Sequence, residues 1–374
     1  MQTLSKAQAI HPFKFKSNRI KRLYQGGSGI NRLRMESAVL DTNFPEDWIA
    51  SCVEANSREF VASGYGLSTC EYDGREYLFP QLLQERPEAM SGAEHVTRYG
   101  PTPGVLTKLL DSAVLLPLQV HPDCDCSSRY FDSEYGKTEA WIILETREIN
   151  GEKPYLLLGF NDRLNPEIFR QEVLNGEFHE GLSMLHKIEV KPGDVFVVYG
   201  RMPHAIGPGI TMVEVMEPTD YVIIPEKNCF GKLLTPEKRF AGLTPEAALD
   251  IFDYTVYSRE EIVARCAQSA EIIEEKETGI LRRLIARRKV KFFEVQELSI
   301  AGKWDFNLQE KTFRIGIVVK GEIEVVSGDR KLSIKTGESF FLPFALNECV
   351  LTGSARVIIV LPPADKRDDP KKSS

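Results

Sequence analysis

The sequence predicts a mainly β chain in which two related β units are separated by a helical stretch, and three observations support this. Short apolar runs alternate with turns over 41–227 and 289–363, whereas 228–288 is dominated by charge at helical spacing. The segment LSIKTGESFFLPFALNEC repeats IEVKPGDVFVVYGRMPHA, setting Lys335 against Lys191, Gly337 against Gly193 and Glu348 against His204. The repeat keeps its turn glycine but loses its histidine, so only the earlier unit retains metal-capable side chains.

Composition bounds the function. The chain has 374 residues, 42% hydrophobic and 27% charged, which is room for two or three domains with separate cores. A formal charge of -7 argues against a dominant nucleic-acid surface while leaving room for a local basic pocket. No apolar run reaches the ~18 residues that a membrane span needs. Seven cysteines, an odd number without a paired framework, fit a reducing cytoplasm. Residues 1–40 are basic, lack the apolar core of a signal peptide, and read as a solvated N-terminal extension. Within them Gly26, Gly27 and Gly29 have no strand-to-helix context and read as a flexible connection. The polar end, 364–374, is expected to be disordered.

In chain order, 78–90 has a helical pattern marked by Leu82, Leu83 and Met90. The run 115–121 alternates, with Leu116, Leu118 and Val120 on one side and Gln119 and His121 on the other. Glu139, Trp141 and Ile143 share a face of the next apolar run, and His204 follows a further strand-like segment. A lone histidine in a β core is more often structural than a ligand. Here a metal would satisfy Gln119, His121 and Glu139 together. With His204 they form a nitrogen and oxygen set suited to zinc or a similar divalent ion.

Cys124 and Cys126 stand close by, but Asp123, Asp125, Ser127 and Ser128 around them favour an exposed turn. Residues 166–177 suggest a short amphipathic helix, and His179 and His186 beside it are expected to face solvent. Further on, Glu214 lies between Met212 and Met216 on one strand face, an expensive place for an unpaired carboxylate. Thr244 before Pro245, and Ser258 with Glu261, mark helix starts in the 228–288 segment.

The ordered segments LPLQVHPD, GKTEAW, VKPGDVFVVYGRMPHAIGPG and EVMEPTD resemble the type I mannose-6-phosphate isomerases, zinc-dependent cupin enzymes that interconvert an aldose phosphate and a ketose phosphate. PEDW followed by Ser51 is similar to that family's early Glu-x-Trp segment, and LFPQLLQERPEAMSG and LTPEAALDIFDY resemble two of its helices. The resemblance implies two cupin (jelly-roll) barrels with an inserted helical segment, the second barrel degenerate and metal-free. It implies one Zn2+, or another divalent transition metal, held by Gln119, His121, Glu139 and His204. It further implies a small sugar or sugar phosphate as ligand, Lys137 as a charge stabiliser or phosphate contact, and Glu214 as an acid or base.

One position departs from the family. Where the resemblance expects an active-site arginine, this chain has Ile224, and Arg201 beside the His204 loop is the expected replacement. The departure leaves open an isomerase acting on a different or non-phosphorylated sugar, and a non-catalytic carbohydrate-binding cupin. Retention of all four ligands favours chemistry. Oligomeric state is left open.

Overall fold

The strand Ile210–Met216 is buried along its whole length because it has a partner on each side. The computed structural model describes residues 10–55, 63–306 and 311–363. Around this strand lies an antiparallel sheet in the order Val195–Val198, Glu139–Thr146, Ile210–Met216, Leu106–Ser112, Glu46–Ile49 and Arg19–Ile20. A smaller sheet has the order His204–Ile206, Tyr155–Phe160, Leu185–Glu189.

Alternation along Tyr155–Phe160 divides its side chains between two cores. Leu156 and Leu158 join Leu110, Trp141, Met212 and Ile206 in one buried cluster. Tyr155 and Leu157 pack instead with Phe169 and Val173 of helix Pro166–Asn175 and with Leu249, and a register shift between Leu158 and Phe160 carries Phe160 into the same cluster. That helix begins where the Asn165 side chain accepts from the Glu167 and Ile168 amides and ends at Gly176, whose φ of 75° is left-handed. The Ser258–Glu261 capping box is also present, opening helix Arg259–Cys266.

These elements belong to a compact unit of residues 18–67 and 105–269, and the described residues within 1–17, 68–104 and 270–374 form another. The second unit is built on a sheet ordered Phe13–Lys14, Ser339–Leu342, Arg314–Ser327, Val350–Leu361, Glu294–Asp305, Gly279–Ile285, Glu271–Lys276, with Arg330–Lys335 also paired to Arg314–Ser327. Trp304, Ile323, Phe340 and Val357 are in its core. Glu348, aligned with His204 by the repeat, is exposed. No helix among the described residues is long and apolar enough to cross a membrane.

The division differs from the sequence-based boundaries in three places, the first being that residues 68–104, expected within the 41–227 domain, group with the second unit. Residues 10–40 are not an extension: Phe13–Lys14 pairs with Ser339–Leu342, and Arg19–Ile20 with Glu46–Ile49. The basic side chains that looked solvated meet carboxylates, Lys14 with Glu338 at 2.9 Å and Arg34 with Asp47 at 2.5 Å. The glycine segment is likewise fixed, since a Cβ at Gly26 would overlap the Asp111 carbonyl and the Gly27 amide donates to Asp111 Oδ2 at 2.6 Å.

The helical stretch also stops early, at Cys266, and Glu271–Lys276 and Gly279–Ile285 are strands. Their charges match across the ladder rather than along a helix: Glu271 stands opposite Arg283 and bonds it at 3.1 Å. Residues 364–374, expected to be disordered, lie outside the described residues.

Asp111 ties the glycine segment to the sheet, accepting from Gly27, from Thr211 Oγ1 at 2.6 Å and from both Arg147 Nη atoms at 2.5 and 3.1 Å. Asp111→Ala leaves these donors uncompensated, and urea unfolding should show a loss on the order of 3–5 kcal/mol. A loss below about 1 kcal/mol would show that the segment is not anchored there.

Candidate active site

The register of the larger sheet sets a row of side chains across one face. Trp48 stands opposite Lys108, Lys108 opposite Glu214, Glu214 opposite Trp141, and Trp141 opposite Phe196. Because side chains alternate, Glu46 and Glu139 lie on the same face, two residues from Trp48 and Trp141. Lys108 Nζ is 3.0 Å from Glu214 Oε2 and 3.7 Å from Glu46 Oε2. Trp141 Nε1 donates to Glu214 Oε1 at 3.2 Å. Glu46 is held by the Tyr24 hydroxyl at 2.6 Å, Trp48 Nε1 at 2.7 Å and Arg22 Nε at 2.9 Å.

Burial and pairing push these carboxyls apart. For Glu46, burial alone would raise the pKa, but Arg22, Lys108 and the hydrogen bonds outweigh it and bring it to about 2. For Glu214, burial dominates over Lys108, and nearby Glu139 adds to it, so the carboxyl lies above its ordinary range. Lys108 is held charged: burial would lower it, but Glu214 and Glu46 carry it upward.

Beside this row, His121, Glu139 and His204 converge so that one potential ligand atom from each lies within 4.8 Å of the others. Gln119 and His204 exchange backbone hydrogen bonds at 2.9 Å, an isolated bridge that brings the 115–121 segment alongside the His204 strand. His121 Nδ1 faces the Tyr221 carbonyl at 2.8 Å and His204 Nδ1 the Met202 carbonyl at 2.8 Å. These contacts turn both Nε2 atoms toward Glu139. His121 Nε2 is 3.1 Å from Glu139 Oε1, and His204 Nε2 is 3.7 Å from Glu139 Oε2.

Glu139 Oε2 and His204 Nε2 are both buried without a hydrogen-bond partner. Burial, reinforced by His121, lowers the His204 pKa to about 3, so its ring is neutral and able to donate a lone pair. Two neutral imidazoles and a carboxylate with orphaned lone pairs fit a divalent metal.

Glu217 fixes the turn before Glu139, accepting from the Gly136 and Thr138 amides at 2.9 Å each. Between those amides Lys137 reaches inward, its Nζ 2.9 Å from Glu139 Oε1 and 3.2 Å from His121 Nε2. Cys124 and Cys126 do not lie in an exposed turn. They open helix Cys124–Phe131, capped by Asp123, and Cys126 is buried with its thiol pushed up to about 11, burial being the chief cause. His186 is also buried rather than solvent-facing, with Nε2 at 2.8 Å from the Tyr257 carbonyl, whereas His179 is exposed.

Lys108 and Glu214 of the row and Gln119 and Glu139 of the metal-capable set line one cavity, together with Arg22 and Lys137.

The cupin-domain model of mannose-6-phosphate isomerases matches residues 286–362. The mannose-6-phosphate isomerase ManA of Bacillus subtilis is 28% identical over 259 residues, 68% of this chain and 74% of that protein. A second B. subtilis protein, the probable mannose-6-phosphate isomerase GmuF, is 26% identical over 69% of this chain and 75% of its own length. A crystal structure of mannose 6-phosphate isomerase from B. subtilis superposes with a TM-score of 0.72, covering 94% of this chain and 99% of that one at 19% identity. The structure of a putative mannosephosphate isomerase from Archaeoglobus fulgidus gives 0.71 at 15% identity, covering 96% and 100%. Residues 286–362 thus match the cupin domain of mannose-6-phosphate isomerases, and most of the chain is similar to such enzymes in sequence and in fold.

The cavity brings together Gln119, Lys137, Glu139 and Glu214, with Ile224 also in its wall. Arg201 is not brought there. Its amide donates to the His121 carbonyl at 2.6 Å, but its backbone is left-handed at φ 72°. The guanidinium meets the Asp250 and Ile251 carbonyls at 3.2 and 3.4 Å, at the carbonyl-rich end of helix Pro245–Asp250. Arg201 is therefore no replacement for the family arginine.

The charged cavity residues without a sequence-based chemical role are Lys21, Arg22, Glu46, Lys108 and Asp220. Glu46 and Trp48 were visible as the Glu-x-Trp segment. Lys108, in the apolar run LTKLLDS, carried the same signal as Glu214, a charge within a buried strand.

Replacing His121 or His204 with alanine should remove stoichiometric divalent metal from purified protein, measured by elemental mass spectrometry after desalting. Glu348→Gln should leave it unchanged. Full metal content in both histidine variants, or loss in the Glu348 variant, would contradict the site.

Proposed function

We propose that this chain is a metal-dependent aldose–ketose isomerase that interconverts mannose 6-phosphate and fructose 6-phosphate. The observation that supports it best is one cavity holding Glu214, whose carboxyl lies above its ordinary range, together with Glu139 of the metal-capable set.

The reaction moves a proton from C2 to C1 of the sugar and shifts a hydroxyl proton between their oxygens, with no atom lost and no external oxidant. Glu214 takes the C2 proton and returns it to C1. Trp141 Nε1 donates to its Oε1, and the Lys108 ammonium lies 3.0 Å from Oε2 without a formed hydrogen bond. The carboxyl is thus held at one oxygen and keeps the other for the substrate. Lys137, buried against Glu139 and His121, places an ammonium where negative charge develops on the enediolate. Gln119, His121, Glu139 and His204 would hold Zn2+, or another divalent transition metal, which supplies Lewis-acid stabilisation of the sugar oxygens.

A second reading, isomerisation of another sugar, is favoured by one observation, the apolar Ile224 in the cavity wall. A coupled assay of the zinc-loaded protein against mannose 6-phosphate and a panel of free aldoses decides between them.

Glu214→Gln should lower kcat on mannose 6-phosphate by ~10²–10⁴ while metal content stays at one equivalent. A variant within about threefold of the unaltered protein would remove Glu214 from the proton path.

A further inference from the structure

The cavity contains a guanidinium that no role so far uses. Among the described residues its cationic lining side chains are Lys21, Arg22, Lys108 and Lys137, and of these only Arg22 offers a planar fork of donors. Lys108 is engaged by Glu214 at 3.0 Å and Lys137 by Glu139 at 2.9 Å. Arg22 is placed differently. Its Nε donates to Glu46 Oε1 at 2.9 Å, and its guanidinium lies over the Trp48 ring, 5.2 Å from the centroid. Its two Nη atoms reach Asp220 only at 3.4 and 3.5 Å, the outer limit of a hydrogen bond. The stem is thus fixed while the planar fork is weakly engaged.

Such a fork matches the paired oxygens of a phosphoryl group, and a guanidinium already locked through Nε loses little freedom on binding one. Its position suits the far end of an extended sugar phosphate. The ion pairs run from Arg22 to Glu46, from Glu46 to Lys108 and from Lys108 to Glu214, so two charged side chains separate Arg22 from the proposed base.

We propose that Arg22 is the phosphoryl-binding residue of this cavity and sets its preference for phosphorylated over free sugars. Asp220 is the resting partner that the phosphoryl group displaces from the Nη atoms. The inference rests on the proposed isomerase reading for its substrate class, but its test need not.

The probe is mannitol 1-phosphate, which has no carbonyl to isomerise, compared with mannitol by titration calorimetry on the zinc-loaded full chain. The unaltered protein should bind mannitol 1-phosphate at least tenfold more tightly than mannitol. Arg22→Gln should weaken the phosphate ester at least tenfold and leave mannitol unchanged. In turnover the same variant should raise the KM for mannose 6-phosphate at least tenfold, with kcat within about threefold.

Asp220→Asn removes the competing charge and should tighten mannitol 1-phosphate at least threefold. This decides the matter if Arg22→Gln does not fold. Equal binding of the two hexitols by the unaltered protein, unchanged binding in a folded Arg22→Gln, or no tightening in Asp220→Asn would overturn the assignment. Turnover of mannose 6-phosphate with Arg22→Gln unaffected defeats this inference alone. Arg22-dependent binding without turnover defeats the isomerase reading alone.

Discussion

The structure of the first unit depends on a buried carboxylate, Glu139, facing two imidazoles and an ammonium. A carboxylate with 1% of its residue surface exposed is costly unless compensated. Lys137 and His121 meet one oxygen, but Oε2 and the facing His204 Nε2 lack hydrogen-bond partners. A divalent cation would resolve that deficit at once, so the fit of these residues to a metal follows from their own chemistry. Much of the local chain serves this arrangement. Glu217 pins the turn carrying Lys137, the Gln119–His204 bridge aligns two ligand segments, and two carbonyls set the imidazole orientations.

Next to it, the row Glu46–Lys108–Glu214 shows how one sheet face can hold carboxyls in different protonation states. Glu46 has three good donors and is driven to about 2. Glu214, with one indole and one shared lysine, is left above the ordinary range. Both are buried in the same sheet, and the difference comes from neighbouring charge and donor count, Arg22 facing Glu46 while Glu139 lies near Glu214. A lysine shared by two carboxylates thus separates a permanently charged anchor from a group able to exchange a proton.

Much of this was legible in the sequence because period-two alternation survives in a buried sheet. Gln119 with His121, Glu139 with Trp141, and Glu214 between methionines all kept the faces that alternation assigned. Residues 118–121 did so through isolated bridges rather than a continuous strand. Leu116, expected beside Leu118 and Val120, instead lies before Pro117 in the other core cluster and lines the cavity with Gln119. What failed were judgements about charge. Basic residues in 10–40 looked solvated because their carboxylate partners lie on other segments, Asp47 for Arg34 and the far more remote Glu338 for Lys14, where spacing along one element cannot reveal them. The Glu271–Lys276 strand looked helical because Glu271 and Arg283 match across a ladder, a relation invisible to spacing on one element. Arg201 looked close to the metal because its neighbours are, yet one left-handed residue turned its side chain away. Arg22 carried no local signal at all, since its partners Glu46 and Asp220 come from two distant segments.

X-ray absorption at the zinc edge of the zinc-loaded chain tests the central claim most directly, because it reads the atoms around the ion without relying on turnover. A nitrogen and oxygen shell at ~2.0–2.2 Å, with the outer scattering of two imidazoles, is the result predicted by His121, Glu139 and His204. A sulfur shell at ~2.3 Å, or the signature of fewer than two imidazoles, would contradict it.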